Sequence, residues 1–442
     1  MGKLAVDRET SEEMEQAAPD QLAQPSEQMI MKSESVIARV PRATDRPAPR
    51  RYAFLDGMRG LSALYVVFHH MYMMAGDRIS TAWRPWLSWM GYGSWAVCVF
   101  IVLSGFCLML PVAQADTGHI PGGAWSYFKR RSRRILPPYY AALVLALAVI
   151  GAIPAAFEVS PTAPGPAVVL SQLPAFTAPV LVSHLLLIHN LSPLWIYRIN
   201  GAFWSVATEW QIYFIFPFLL LPAWRRFGVT GGVAIAALIG YGMAFLFRNQ
   251  LATFQFVALF GMGMAAAEII THRPARFRPV FFAIVTSVCV GLLIGIARLY
   301  PVVFDHFHSG EMLVGIAAAS AITYFAVTND SGRPASFGRI FETRVALWLG
   351  SISYSLYLMH GTVLEILRYL ILTRLGLSLL PFGVIALPAA IGISYGFFLC
   401  FERPFSRSRG RQRLPQMPKA ASSLPPVDRM APANSVSSQP VI

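Results

Sequence analysis

"LDGMRGLSALYVVFHHMYMM", Leu55 to Met74, is an apolar run that carries Asp56 and Arg59 near one end and the adjacent His69 and His70 near the other. A membrane span needs about 20 mostly apolar residues, and ionisable groups inside one are rare and usually functional. The stretch therefore asks whether the chain lives in a bilayer, and what its charges do there. Composition answers the first question. Of 442 residues 55% are hydrophobic and 13% charged, against about 25% charged in ordinary globular domains, and mean hydropathy is +0.52. This is the profile of an integral membrane protein.

Apolar stretches of spanning length recur at 58–76, 93–112, 135–153, 202–222, 229–247, 251–270, 279–298, 310–328, 346–371 and 381–401. The expected fold is all-α, a polytopic membrane helix bundle of about ten transmembrane helices. Orientation follows from Lys and Arg, which are in excess in cytoplasmic loops. Arg50 and Arg51 precede the first span; Lys129, Arg130, Arg131, Arg133 and Arg134 follow the second; Arg225 and Arg226 follow the fourth. Arg273, Arg276 and Arg278 follow the sixth, and Arg333, Arg339 and Arg344 the eighth. The alternate loops hold only Arg78 and Arg84, Arg198, Arg248, Arg298 and Arg374. This alternation implies both termini in the cytoplasm. The net charge of +14 is then mainly a topology signal, and nucleic-acid binding is not indicated.

Residues 1–50, with "RETSEEMEQ" (8–16) and "RATDRPAPR" (42–50), are too poor in apolar residues to fold alone and read as a disordered cytoplasmic tail. No apolar signal region follows the start, and Val6 stands where a myristoylation motif needs Ser or Thr. Residues 51–405 form the membrane domain, and 406–442, rich in Pro, Ser and Arg, read as a second disordered tail. The Pro-rich loop 154–201 is expected to face outward, with "VLVSHLLLIHNLSPLWI" (180–196) as an interfacial or re-entrant helix. Cys98, Cys107, Cys289 and Cys400 all fall in spans without paired spacing, so neither a disulfide framework nor a zinc site is indicated.

Helical geometry sorts the opening stretch. The eleven steps from Arg59 to His70 turn through about three full turns and advance about 16 Å. Arg59 and His70 thus share a face, one at the cytoplasmic rim and one near the bilayer middle, while His69 points about 100° away and is expected to pack or support. Asp56, three residues before Arg59, is placed to hold its guanidinium or to contribute to catalysis. Counted from the ends of their spans, Glu209 in "FWSVATEWQIYFIFP" (203–217) and His360 in "ISYSLYLMHG" (352–361) fall in the same slab as His70. A carboxylate and imidazoles at one depth suggest a proton-handling site. Against this, Glu209 also reads as a structural partner for a His or Arg, and His360 as an interhelical hydrogen bond.

"YFKRRSRRILPPYY" (127–140) places Arg131 and Arg134 one helical turn apart with Arg130 and Lys129 beside them. Such a cluster either clamps phosphates or marks a cytoplasmic loop drawn to anionic lipid. Both readings stand on the residues alone.

The segments "FLDGMRGLSALYVVFHH", "FIVLSGFCLML", "RRSRRILPPYY", "FWSVATEWQIYFIFP", "ISYSLYLMHG" and "FERPF" occur in the order seen in the acyltransferase-3 family of integral membrane O-acyltransferases, which the chain resembles over roughly 52–406. The resemblance implies a ten-helix membrane protein, mostly bacterial in distribution. It implies transfer of an acetyl group from acetyl-coenzyme A to a hydroxyl of a glycan or other acceptor. The family's Arg/Lys–ten residues–His motif falls on Arg59 and His70, and its Arg-x-x-Arg motif on Arg131 and Arg134. Glu209 matches the first carboxylate of Trp-Ser-x-x-x-Glu-Glu, with Trp210 in place of the second, and Cys98 stands where many members carry Asp.

Together these give an expected mechanism. Arg131, Arg134, Arg130 and Arg59 bind the phosphates of an acyl-coenzyme A donor, and neutral His70 is the general base on the acceptor hydroxyl. Glu209 orients its imidazole, with His69, Tyr213 and His360 in support or in contact with substrate. No span holds a nucleophile elbow, which favours direct transfer over an acyl-enzyme. The expected partners are the bilayer and a glycan or lipid-linked saccharide acceptor, with no metal; the expected location is the bacterial inner membrane. The competing class is a proton-coupled transporter that uses the same His and Glu, against which stands the lack of a clear internal repeat.

Overall fold

The computed structural model describes residues 52–75, 79–115, 117–153, 177–247, 252–272, 278–299, 309–332, 334–376 and 379–406. The two expected tails lie outside these residues, apart from Ser406, as do Arg50, Arg51, Arg78, Arg248, Arg273, Arg276 and Arg333. Among the described residues there are helices and connecting turns and no strand.

The opening stretch lies within α1, Ala53–Ala75. A helical turn at Arg84–Leu87 and a tighter one at Ser88–Gly91 lead into α2, Gly93–Ala113, and α3 follows over Gly123–Ala152. The short α4 covers Ala178–Leu185 and α5 covers Phe203–Ile215. A π-helical turn, Phe216–Leu220, joins α5 to α6, Leu221–Phe247. Then come α7 (Phe256–His272), α8 (Pro279–Leu299), α9 (Ser309–Asp330), α10 (Arg344–Leu367) and α11 (Leu379–Phe397).

Seven helical stretches among these residues are long and apolar enough to cross a membrane. The expected fourth and fifth spans fall in one helical stretch, Phe203–Phe247, made of two helices that meet at Gly228. Gly228 breaks that rod with a left-handed φ of 67°, a conformation that costs glycine nothing and other residues about 1 kcal/mol or more. The α1 helix, diluted by Asp56 and Arg59, and the 17-residue α7 fall outside the seven.

The apolar pattern sets the layers. In α2 and α7 buried residues occur on every side, as expected of helices at the centre of a bundle. In α8, Val280, Phe281, Ile284, Val288 and Leu292 are exposed, a belt suited to lipid rather than water. The bundle is therefore that of an integral membrane protein.

Two contacts set the height of the site residues. Gly60 of α1 meets Gly350 of α10 so closely that a Cβ on Gly60 would fall 2.4 Å from the Gly350 amide nitrogen, and one on Gly350 would fall 2.1 Å from the Asp56 carbonyl oxygen. Small residues permit this main-chain approach, and it pins α1 to α10. Near the other end of α1, a Cβ on Gly93 would fall 2.2 Å from the His69 ring. The first turn of α2 is therefore level with the histidine pair.

The 178–202 segment packs against the bundle, with a helix over Ala178–Leu185 where one was expected over 180–196. Asn200 donates to the Leu358 carbonyl at 3.1 Å and to Thr362 Oγ1 at 3.2 Å, and accepts from the Ala202 amide at 2.9 Å. His184 faces the Val180 carbonyl at 2.8 Å through Nδ1 and the Arg198 carbonyl at 3.0 Å through Nε2, of which a neutral ring donates to one, and it stacks on His189 at 3.9 Å. Since Asn200 sits at the level of His360, α5 begins there and runs away from it.

Candidate functional site

A narrow cavity of about 90 Å³ runs between α2, α3, α5 and α10. Arg59, Arg131 and Arg134 stand at one end with Cys107, while Phe100, Ser205 and Tyr357 stand at the other. Ser104, Glu209 and Tyr213 line it between them. The structure thus brings the arginines of the first and third spans to one cavity.

Each cation is held differently. Arg59 bonds Asp56 Oδ1 at 3.0 Å through Nη1 and Cys107 Sγ at 3.0 Å through Nη2. Asp56, half exposed at the rim, is therefore a support for Arg59; it lies fourteen residues, about 21 Å of helix, from His70. Of the two roles expected for Asp56, the contact fits the support of Arg59 rather than a place in the catalytic group around His70. Arg131 lies over the Tyr213 ring at 5.8 Å, a favourable cation–π arrangement. Arg134 is solvent-exposed at the mouth, with the buried Glu402 as an electrostatic neighbour. Glu402 in turn accepts from the Ser355 amide at 3.1 Å and from its hydroxyl, which ties "FERPF" to α10. Arg130 does not reach the cavity: its guanidinium is spent on Ser126 Oγ and the Pro121 carbonyl.

Glu209 accepts through Oε1 from Ser104 Oγ at 2.5 Å and from the Tyr213 hydroxyl. These contacts correct its expected place beside His70. Ser104 is eleven residues, about 16 Å of helix, from Gly93 at the histidine level. The physical cause is the folded-back segment before α5: that helix starts level with His360, so Glu209 lies six residues, about 9 Å, further in.

His360 takes the place that Glu209 was expected to fill. Its Nε2 atom is 3.3 Å from His70 Nδ1, and the rings are 4.9 Å apart. Backbone carbonyls only accept, so they assign the hydrogens. His360 Nδ1, 3.0 Å from the Leu356 carbonyl, carries hydrogen and leaves a lone pair on Nε2. His70 Nδ1, 3.0 Å from the Val66 carbonyl, carries hydrogen and shares it between that oxygen and His360. The lone pair of neutral His70 is then on Nε2, and a proton taken there would leave both Nδ1 contacts intact. His360 is fully buried while His70 is partly accessible. His69 is turned toward the Met90 carbonyl at 3.0 Å, in keeping with a packing role.

Sequence reasoning passed over Tyr357, Tyr354 and Cys107 as site residues. The signal for Tyr357 was present: three residues before His360, it shares that helix face. Cys107 carried no such signal, since its meeting with Arg59 depends on how α1 and α2 cross.

A family model described as an acyltransferase domain, acyltransferase-3, matches residues 52–399. No curated protein and no solved structure matches the chain. The matched region contains the whole cavity and both histidines, and the chain belongs to the acyltransferase-3 family of membrane acyltransferases.

Proposed function

We propose that the protein is an O-acyltransferase that moves an acetyl or other short acyl group from acyl-coenzyme A to a hydroxyl of a cell-surface glycan or a similar acceptor. The observation that carries this reading is the cavity itself, lined by three guanidinium groups at one end and at the other by Tyr357, whose ring lies 5.6 Å from that of His360; the histidine pair stands behind that ring and does not itself line the cavity. Arginines suit the phosphates of such a donor because each contact is a charge-assisted hydrogen bond. The inner part of the cavity, lined by Phe100, Ser104, Ser205 and Tyr357, would take the extended arm. Arg134 at the mouth would hold the phosphates outside while the thioester reaches inward.

His70 is the general base in this reading. Its Nε2 takes the proton of the acceptor hydroxyl while the hydroxyl oxygen attacks the thioester carbonyl, and the same proton then goes to the departing thiolate. His360 holds the imidazole in the required tautomer, much as a carboxylate does in a hydrolytic triad. Glu209, held by Ser104 and Tyr213, offsets part of the guanidinium charge inside the cavity. The donor enters from the cytoplasm, both termini are cytoplasmic, the chain makes ten crossings, and the membrane is the bacterial inner membrane.

The test is purified protein in nanodiscs with labelled acetyl-coenzyme A and candidate acceptors, following free coenzyme A and labelled product. Acceptor-dependent release that is lost in His70→Ala supports the assignment. An active His70→Ala protein would remove His70 from the mechanism.

A further inference from the structure

Tyr357 stands between the two halves of the site. It lines the cavity, and its ring lies 5.6 Å from that of His360 and 6.0 Å from that of Phe100. Its hydroxyl is 2.5 Å from Ser205 Oγ, and both side chains are buried. One hydrogen bond joins these two hydroxyls, yet between them they own two hydrogens. The second is taken up by no side chain or carbonyl among the described residues, and both side chains line the cavity, so it is available to a group bound there.

The phenol is the stronger acid of the two. Either hydroxyl can donate in this pair; with a carbonyl oxygen in the cavity, Ser205 donating to the Tyr357 oxygen frees the stronger acid to donate to that carbonyl, and the chain of hydrogen bonds strengthens this last donor. We infer that Tyr357 is a catalytic residue, the hydrogen-bond donor to the carbonyl oxygen of the donor thioester, with Ser205 as its positioning residue. This rests on the acyltransfer reading above. As the acceptor oxygen forms its bond to the carbonyl carbon and His70 Nε2 takes its proton, the carbonyl π pair moves onto the oxygen that Tyr357 holds. That pair returns as the C–S bond breaks, and the thiolate leaves with the proton from His70. Donors aimed at developing charge in a water-poor site are among the largest contributors to catalysis. Tyr357 is placed for this because its ring lies beside that of His360, the neighbour of His70, while its side chain lines the cavity.

The experiment compares wild-type protein with Tyr357→Phe and Ser205→Ala in nanodiscs, measuring kcat, donor KM and the affinity for coenzyme A, with thermal unfolding as a control. For Tyr357→Phe, which keeps the ring contacts, the expected kcat loss is about 100-fold or more, with donor KM and coenzyme A affinity within about threefold. Ser205→Ala should lose about tenfold in kcat with affinity kept, since the hydroxyl of Tyr357 is then present but unsupported. A Tyr357→Phe kcat within about threefold of wild type overturns the inference, as does a loss that appears equally in coenzyme A affinity. Should Tyr357→Phe fail to fold, Ser205→Ala decides: unchanged kcat overturns the assignment, and a kcat loss with intact affinity sustains it. Wild-type protein that releases no coenzyme A with any acceptor refutes the acyltransfer reading itself, a different result from an active enzyme indifferent to Tyr357.

Discussion

The Nε2 atom of His360 faces the Nδ1 atom of His70 at 3.3 Å, and the Nδ1 atom of each ring lies 3.0 Å from a carbonyl one helical turn back. With the His360 Nε2 lone pair turned to His70 Nδ1, the ring nitrogen left with an unengaged lone pair is His70 Nε2. His70→Ala is therefore expected to lower acceptor-dependent coenzyme A release by about 10²- to 10⁴-fold, the range for a general base. His360→Ala removes only a partner of the imidazole; the Val66 carbonyl still holds Nδ1, and the expected loss in kcat is about tenfold with donor KM unchanged. Equal losses in the two variants would show that His360 does more than position.

The arginines predict a different kinetic signature. Arg131→Ala and Arg134→Ala each remove a charge-assisted contact of about 1.5–3 kcal/mol, which should raise donor KM by about 10- to 100-fold at nearly constant kcat. Arg130→Ala should change it little, because Ser126 and Pro121 already occupy that guanidinium. Steady-state kinetics against donor concentration separate these outcomes, and an Arg130→Ala defect as large as that of Arg131→Ala would contradict the geometry.

The sequence showed the membrane class, the helical fold and the Arg59–His70 spacing because each depends on local periodicity. It misplaced Glu209, because depth counted from a span's end assumes that the span begins at the membrane surface. The segment before α5 folds inward, and Asn200 seats it by bonds to Leu358 and Thr362 on α10. Those contacts join residues more than 150 positions apart, and no pattern within a single helix reports them. Likewise the meetings of His70 with His360 and of Arg59 with Cys107 follow from helix crossings, not from spacing within α1.

Asn200 is accordingly expected to matter for stability as well as for the site. Asn200→Ala would leave the buried Ala202 amide and the Leu358 carbonyl without their side-chain partner, at about 1–3 kcal/mol for an unsatisfied buried group. A lowered unfolding temperature in detergent, with coenzyme A release falling as α5 loosens, checks this. An unchanged melting curve would show that the seat is held elsewhere.

The stacked pair of the folded-back segment predicts acid lability. Burial, with His184 alongside, pulls His189 down to about 3, and burial also lowers His184. An imidazole with a lowered folded-state value binds its proton more readily when unfolded, so the unfolded chain gains as pH falls below about 6.5, and stability is lost progressively toward pH 3. The slope for His189 is at most about 1.4 kcal/mol per pH unit in that window. Unfolding measured from pH 7.5 to 5 should show the decline, and His189→Leu should flatten it. A wild-type curve flat over that interval would exclude the pair as its cause.

The contact between Gly60 and Gly350 bears on dimensional tolerance. Main-chain atoms meet there with no side chain between them, so the offset between α1 and α10 is set by peptide geometry, which substitutions elsewhere on either helix scarcely alter. Arg59 and His70 ride on one of these rods, Tyr357 and His360 on the other. Point mutations can change the chemistry of those four residues while leaving their separation intact. A single inserted residue between Arg59 and His70 has the opposite effect: it preserves every side chain, yet it rotates His70 by about 100° and advances it about 1.5 Å. The alignment is robust to spelling and fragile to length.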